Sequence, residues 1–198
     1  LIERMRRARI ACLAQLSGFS EHDTIFDVVM ASFHDLLQVE EELQRLEHEL
    51  ASGDEATLRR YGTVQEKFAA MGGYEFRTTA RRVLHGLGFR MEDFDLRVHA
   101  LSGGQRTRLM LALVLLQDAD LLLLDEPENH LDIEAREWLE AFIKESAKAV
   151  VIISHDRRML NSVVDRVMEV EAGGLANYSG NYEYYLKQKT LLREQQIK

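Results

Sequence analysis

Two apolar runs in this sequence end in residues able to handle a phosphate. Leu121–Leu124 is followed by Asp125 and Glu126. Adjacent carboxylates of this kind suit phosphoryl transfer, one acid holding Mg²⁺ through water and the other polarising an attacking water. In that chemistry Glu126 is the general base and Asp125 the magnesium-side ligand. Val150–Ile153 is followed by Ser154, His155 and Asp156, which puts an imidazole where it could hydrogen-bond a γ-phosphate. Between Ala100 and Arg106 lies the run Leu101–Gln105, LSGGQ. Ser102 is placed to cap a helix that opens on Gly103 and Gly104, and bare glycines at a helix N-terminus let an anion reach the backbone N–H groups. Gln15 follows the first candidate strand and could reach the metal or the attacking water. Each feature alone has an ordinary alternative: two solvated acids, a structural histidine, a Gly-Gly turn, a surface glutamine.

The elements that must carry these residues follow from periodicity. Residues 7–13 alternate as a short strand, 24–34 open a helix, and Leu36, Val39, Leu43, Leu46 and Leu50 form a heptad-like stripe. After a break at Ala51–Asp54, a second helical pattern with Leu58, Tyr61, Val64 or Gln65, and Phe68 runs to Gly72-Gly73, so the two helices should pair antiparallel. The hairpin is acidic, which reads as a charged solvated face or as a docking arm. Residues 78–87 predict a helix and 106–116 a helix apolar nearly all round. Ala135, Trp138, Leu139, Phe142 and Ile143 predict an amphipathic helix capped by Asp132. A further helix is expected over 159–164, a hairpin around Gly173-Gly174 and a polar helix over 183–198. Strands alternating with helices indicate an α/β domain with a largely parallel sheet. Ligands bind beyond the carboxyl ends of strands in such sheets, which is where Asp125, Glu126 and His155 fall.

Composition narrows the class. The 198 residues are 46% hydrophobic, enough for a core. No apolar run is long enough to cross a bilayer, and the arginine-rich start has no apolar stretch behind it, so neither membrane insertion nor a signal peptide is expected. The single cysteine, Cys12, suits a reducing cytoplasm and reads as a small buried hydrophobe. No Cys/His cluster has zinc spacing. A net charge of −8 argues against generic nucleic-acid binding, although not against a local RNA contact. The acidic hairpin offers no basic tip, so such a contact is expected from elsewhere, from Lys187, Lys189, Arg193 and the linker expected to follow them.

The order of the motifs resembles the ATP-binding-cassette (ABC) ATPases: Gln15 as Q-loop, Leu101–Gln105 as signature, Leu121–Glu126 as Walker B, Asn129–Asp132 as D-loop and His155 as H-loop. Leu121–Asp132 (LLLLDEPENHLD), Tyr178–Tyr182 (YSGNY) and the inserted helical hairpin are similar to the soluble ABC-F subfamily. The resemblance implies a P-loop NTPase-like α/β core with a mostly parallel sheet, a helical subdomain and the inserted arm. It implies core residues over 1–32 and 119–182, an arm over 33–73, a signature subdomain over 74–118 and the start of an interdomain linker over 183–198. It implies ATP and Mg²⁺ as ligands: Glu126 and His155 catalytic, Gln15 and Asp125 on the metal, and Gln15, Ser102, Gly103, Gly104, Gln105 and Asp132 on nucleotide. Cassettes of this family work in pairs, so the implied partners are a second ABC domain and the ribosome, with its rRNA or tRNA, in translation or antibiotic protection. An ABC transporter's ATPase subunit and a non-catalytic interaction module are the alternatives. Two features depart from the family pattern. The sequence contains no G-x-x-x-x-G-K-[ST] phosphate loop. With the first residue a leucine, this leads to the expectation of a first cassette truncated upstream of the Q-loop. Glu128 stands where the family usually has Thr, and is expected either to press a third negative charge on the site or to point into solvent.

Overall fold

The structure, a computed structural model, describes residues 8–12, 20, 22–50, 54–171 and 173–196. The chain divides into two compact units, one of residues 1–12 with 119–198 and the other of residues 13–118.

The first unit is built on a three-stranded parallel sheet in the order β1 (Ile10–Cys12), β2 (Leu121–Asp125), β3 (Ala149–Ile153). The register is Ile10 opposite Leu121 and Leu121 opposite Ala149, ending with Asp125 opposite Ile153. Asp120 fixes the start of β2, its carboxylate accepting from the Arg9 N–H at 2.8 Å while its own N–H donates to the Arg9 carbonyl. That hydrogen bond, with the Arg9 side chain, holds the Asp120 carboxyl below the usual carboxylate range. Leu122 and Leu124 point to the core with Ala11, whereas Leu123 and Cys12 lie on the exposed side. Cys12 is therefore not buried as expected: the pleat of β1 puts Ala11 inward and both neighbours outward. Helix α6 (Ile133–Glu145) buries Ala135, Leu139 and Ile143, and Asp132 caps it as its sequence predicts. Helix α7 (Arg157–Val163) follows β3, and the hairpin β4 (Arg166–Glu171) and β5 (Gly174–Ser179) leads into α8 (Tyr182–Gln196). Glu169 on β4 accepts from Tyr185 at 2.6 Å and from Lys189, both on α8. Lys189 is therefore committed to this contact and to Glu171 at 3.3 Å, and does not stand as the outward RNA-facing cation the sequence suggested.

The second unit is helical: α1 (Ile25–Ala31), α2 (His34–Glu49), α3 (Glu55–Ala70), α4 (Phe76–Gly86) and α5 (Gly103–Leu116). Helices α2 and α3 form the expected hairpin; its tip, 51–53, lies outside the described residues. Leu36, Val39, Leu46, Val64, Phe68 and Phe76 make its core, with Phe33, Leu43 and Tyr61 against it. Leu58 was expected on this seam but is 57% exposed. The hairpin is two helices thick, and the aromatic layer of Phe33 and Phe76 thickens it only at its base. A bidentate contact from Arg77 on α4 to Glu40 on α2, at 2.6 and 2.7 Å, ties the base further. Helix α3 stops where Gly72 takes φ of +76° and the Gly73 N–H returns to the Phe68 carbonyl at 2.9 Å, a glycine-ended helix terminus. Helix α5 buries Leu109, Leu111, Ala112, Val114, Leu115 and Leu116, which accounts for its nearly uniform apolar sequence.

Candidate functional site

Strand β2 delivers Asp125 and Glu126 to the carboxyl edge of the sheet, and β3 delivers His155 to the same edge of the same unit. The Glu126 N–H donates to the Ile153 carbonyl at 2.7 Å, so the parallel register continues one residue past β2. There the chain turns sharply. Glu126 adopts φ of +44° and His130 φ of +65°, left-handed conformations costing roughly 1–3 kcal/mol each in residues other than glycine. Such strain persists only where surrounding contacts hold it. The Asn129 N–H donates to the Glu126 carbonyl at 3.1 Å and the Leu131 N–H to the Glu128 carbonyl at 3.2 Å.

Both Glu126 oxygens are engaged. Oε2 accepts from the Asn129 amide at 2.7 Å, and Oε1 lies 3.2 Å from His155 Nε2, which donates when that nitrogen carries the proton. Glu126 and His155 are brought together as the sequence suggested, and their side chains are 40% and 89% exposed, so the pair faces outward. Asp125 is exposed at the end of β2. Among the described residues no group of three or more His, Cys, Asp or Glu is arranged as a complete metal site. An exposed carboxylate at the strand end does fit a hydrated Mg²⁺ that brings its remaining ligands as water and phosphate oxygens.

Glu128 does not point into solvent. It is buried, 6% exposed, and reaches to the loop after β3, where its Oε1 accepts from the Ser154 hydroxyl. The solvent-facing alternative is thereby corrected: with Pro127 also buried, the turn folds this side chain inward. Asp132 caps α6, its Oδ1 accepting from the Ala135 N–H at 2.8 Å.

The signature residues lie in the helical unit. The Gln105 N–H donates to Ser102 Oγ at 3.3 Å and the Ser102 N–H to Gln105 Oε1 at 2.9 Å, a reciprocal capping box. Gly103 and Gly104 are the first two helical residues between them. A Cβ added at Gly103 would meet nothing within 4 Å, and its backbone is not in the left-handed region, so this fold does not itself require glycine there. Gln15 lies outside the described residues. The sequence places Asn129 in the D-loop run and Ser154 beside His155, but it does not reveal the Asn129 contact to Glu126 or the buried Ser154 contact to Glu128. Asn129 stands three residues from Glu126 and Ser154 next to His155, but single polar residues at such spacings are common in turns.

The ABC transporter family matches residues 2–129, which include the capping box at Ser102–Gln105 and the strained turn at Glu126. The chain belongs to the ABC ATPase family. This ABC domain is 32% identical over 98% of its length to the "Uncharacterized ABC transporter ATP-binding protein YfmM" of Bacillus subtilis, covering 38% of that protein. It is 38% identical over 84% of its length to the "Probable ATP-binding protein YheS" of Escherichia coli K12, covering 26% of it. It is 33% identical over 91% of its length to ABC transporter F family member 5 of Arabidopsis thaliana, covering 27% of it. The ABC domain thus spans between a fifth and two fifths of the length of the first curated relatives. Its fold matches the ATP-binding subunit of an ABC transporter with a TM-score of 0.60 at 15% identity, over 92% of this chain and 63% of that one. It also matches an archaeal ribosome recycling factor, solved in complex with the archaeal ribosomal stalk protein, with a TM-score of 0.58 at 23% identity, over 95% of this chain and 31% of that one. Among the described residues no helix is long and apolar enough to cross a membrane.

Proposed function

We propose that the ABC domain serves ATP hydrolysis in a tandem-cassette ABC-F protein that works on the ribosome. The observation that carries the hydrolytic reading is the strained Glu126, fixed between Asn129 and His155 at the carboxyl edge of the sheet. In this reading a water attacks the γ-phosphorus in line, the bond from that phosphorus to the β–γ bridging oxygen breaks, and ADP leaves. Glu126 takes the proton of the attacking water, and His155 orients Glu126 and contacts the γ-phosphoryl oxygens. Mg²⁺, when bound beside Asp125, neutralises phosphate charge. Gln15 is assigned to the same metal and water. Ser102, Gly103, Gly104 and Gln105 serve nucleotide held by a second ABC domain, and the open space over Gly103 supports that role. Asp132 caps α6 and contributes to nucleotide through the D-loop it anchors.

The ABC-F assignment is supported by the LLLLDEPENHLD and YSGNY runs, by the α2–α3 arm and by the likeness to an Arabidopsis ABC transporter F family member. Sedimentation of the complete protein carrying Glu126→Gln, with ATP, tests it. Recovery with ribosomes is expected; recovery with membranes would point to a transporter's ATPase subunit, and recovery with neither would remove the ribosome from the account.

A further inference from the structure

Glu126 and His155 belong to separate loops, and their 3.2 Å approach requires the two loops to be held in register. We propose that Glu128 is the positioning residue that does this, tying the loop after β3 to the turn after β2. Its kinetic consequence rests on the hydrolytic reading above; the tether itself does not.

Glu128 is the one charged side chain buried among the described residues. Three donors from the loop after β3 converge on its Oε1: the Ser154 hydroxyl, the His155 N–H at 3.3 Å and the Asp156 N–H at 3.4 Å. The Asp156 N–H is shared with Ser154 Oγ at 3.0 Å, which closes a small network around the backbone of His155. Its Oε2 is buried without a partner. A carboxylate in that condition is costly, and nothing in the helix that follows calls for it. Helix α7 has its own cap, Asp156, whose Oδ1 accepts from the Arg158 N–H at 2.9 Å and the Met159 N–H at 3.2 Å. What Glu128 holds is the segment from Ser154 to Asp156, and the side chain aimed from that segment is His155. Glu128 also sits between Glu126 and His130, the two left-handed residues, so the same contact stabilises the turn that aims the base. Fixing two groups of a site by buried hydrogen bonds from beneath sets their geometry without any contact to the reacting atoms, and misplacements near 1 Å are enough to slow chemistry strongly.

All three contacts end on one acceptor oxygen, which gives the test its contrast. Glu128→Ala removes the acceptor, whereas Glu128→Gln keeps one. In the complete protein, amide exchange read at His155 and Asp156 should speed up by about tenfold or more in Glu128→Ala, with β2 and β3 amides unchanged. Its kcat for ATP should fall about tenfold or more with KM little changed, and Glu128→Gln should restore most of both losses. Ser154→Ala, which leaves the carboxylate in place, should speed exchange at Asp156 and guards against an unfolded Glu128→Ala. Unchanged exchange at His155 and Asp156 in Glu128→Ala would overturn the tether whatever the turnover. So would a Glu128→Gln protein as impaired as Glu128→Ala, because the charge would then matter and the acceptor would not. Altered exchange with an unaltered kcat would overturn the positioning role. If Glu126→Gln hydrolyses ATP like the parent protein, the hydrolytic reading fails, and the exchange data then decide the tether alone.

Discussion

Glu126 has a backbone conformation that costs free energy in a residue with a side chain, and the turn around it is built to hold that conformation. Gly103 has the opposite status: an ordinary backbone, open space where a Cβ would go, and no internal reason to be glycine. Gly103→Ala should therefore leave the melting temperature unchanged or slightly raised. In the complete protein it should lower ATP turnover by about tenfold or more, because the added methyl crowds the N–H groups that a phosphate approaches. A melting curve and a phosphate-release assay separate the two effects, and unimpaired turnover would remove Gly103 from the nucleotide site. At this scale the place of Asp125, Glu126 and His155 at the sheet edge and the helix cap at Ser102 were legible, because the first three end apolar runs and the last directly precedes a helix. The return contact from Gln105 was not legible. Asp132 was readable as a helix cap because it directly precedes a 3.6-period stripe. The position of Glu128 was not readable. Whether a carboxylate in a turn faces solvent or the next loop depends on the parallel register that brings Ser154 beneath it, and no local pattern encodes that register.

The elements were predicted more easily than their burial. The stripe on α2 is real, with Leu36, Val39 and Leu46 buried, but the matching line on α3 is reduced to Val64 and Phe68, with Tyr61 only partly covered. Periodicity identifies a face, and only the partner's reach decides how far along the helix that face is covered. Two glycines near this seam predict opposite outcomes. A Cβ at Gly73 would lie 2.5 Å from ring atoms of the buried Phe68, so Gly73→Ala should destabilise the helical unit by about 1–3 kcal/mol in denaturant titration. Gly62, inside α3 with nothing within 4 Å of its Cβ position, should gain about 0.5–1 kcal/mol on substitution by alanine. Helix α8 has a pH dependence of its own. The Lys189 ammonium, then the Tyr185 hydroxyl, hold the Glu169 carboxyl below its usual range, and Glu169 raises the Lys189 ammonium. The Glu169 contribution to docking α8 is therefore complete above about pH 4.3, the unperturbed glutamate value, and is lost as pH falls through its lower folded value. The Lys189 contribution is complete below about pH 10.4 and is lost as pH rises through its higher folded value. Amide exchange of α8 should accelerate at the acid end, and Glu169→Gln should remove that acid dependence; the same acid response in the variant would assign it elsewhere.

At the scale of the whole molecule, the proposed chemistry is divided between units. The carboxylates and His155 belong to the sheet unit and the signature residues to the helical unit, each anchored by contacts within its own unit. The family and the α/β class were legible because LSGGQ, LLLLDE and the histidine after β3 occur in a fixed order along the chain. The sequence holds no phosphate loop, and it spans only a fraction of the length of its relatives, so turnover is a property to be measured in the complete protein. Single-turnover hydrolysis with a radiolabelled γ-phosphate, comparing parent and Glu126→Gln proteins under matched nucleotide occupancy, addresses the role of Glu126 most directly. Equal ATP binding with hydrolysis slowed by about two orders of magnitude or more is the expected result. Equal binding with equal hydrolysis rates would contradict Glu126 as the general base.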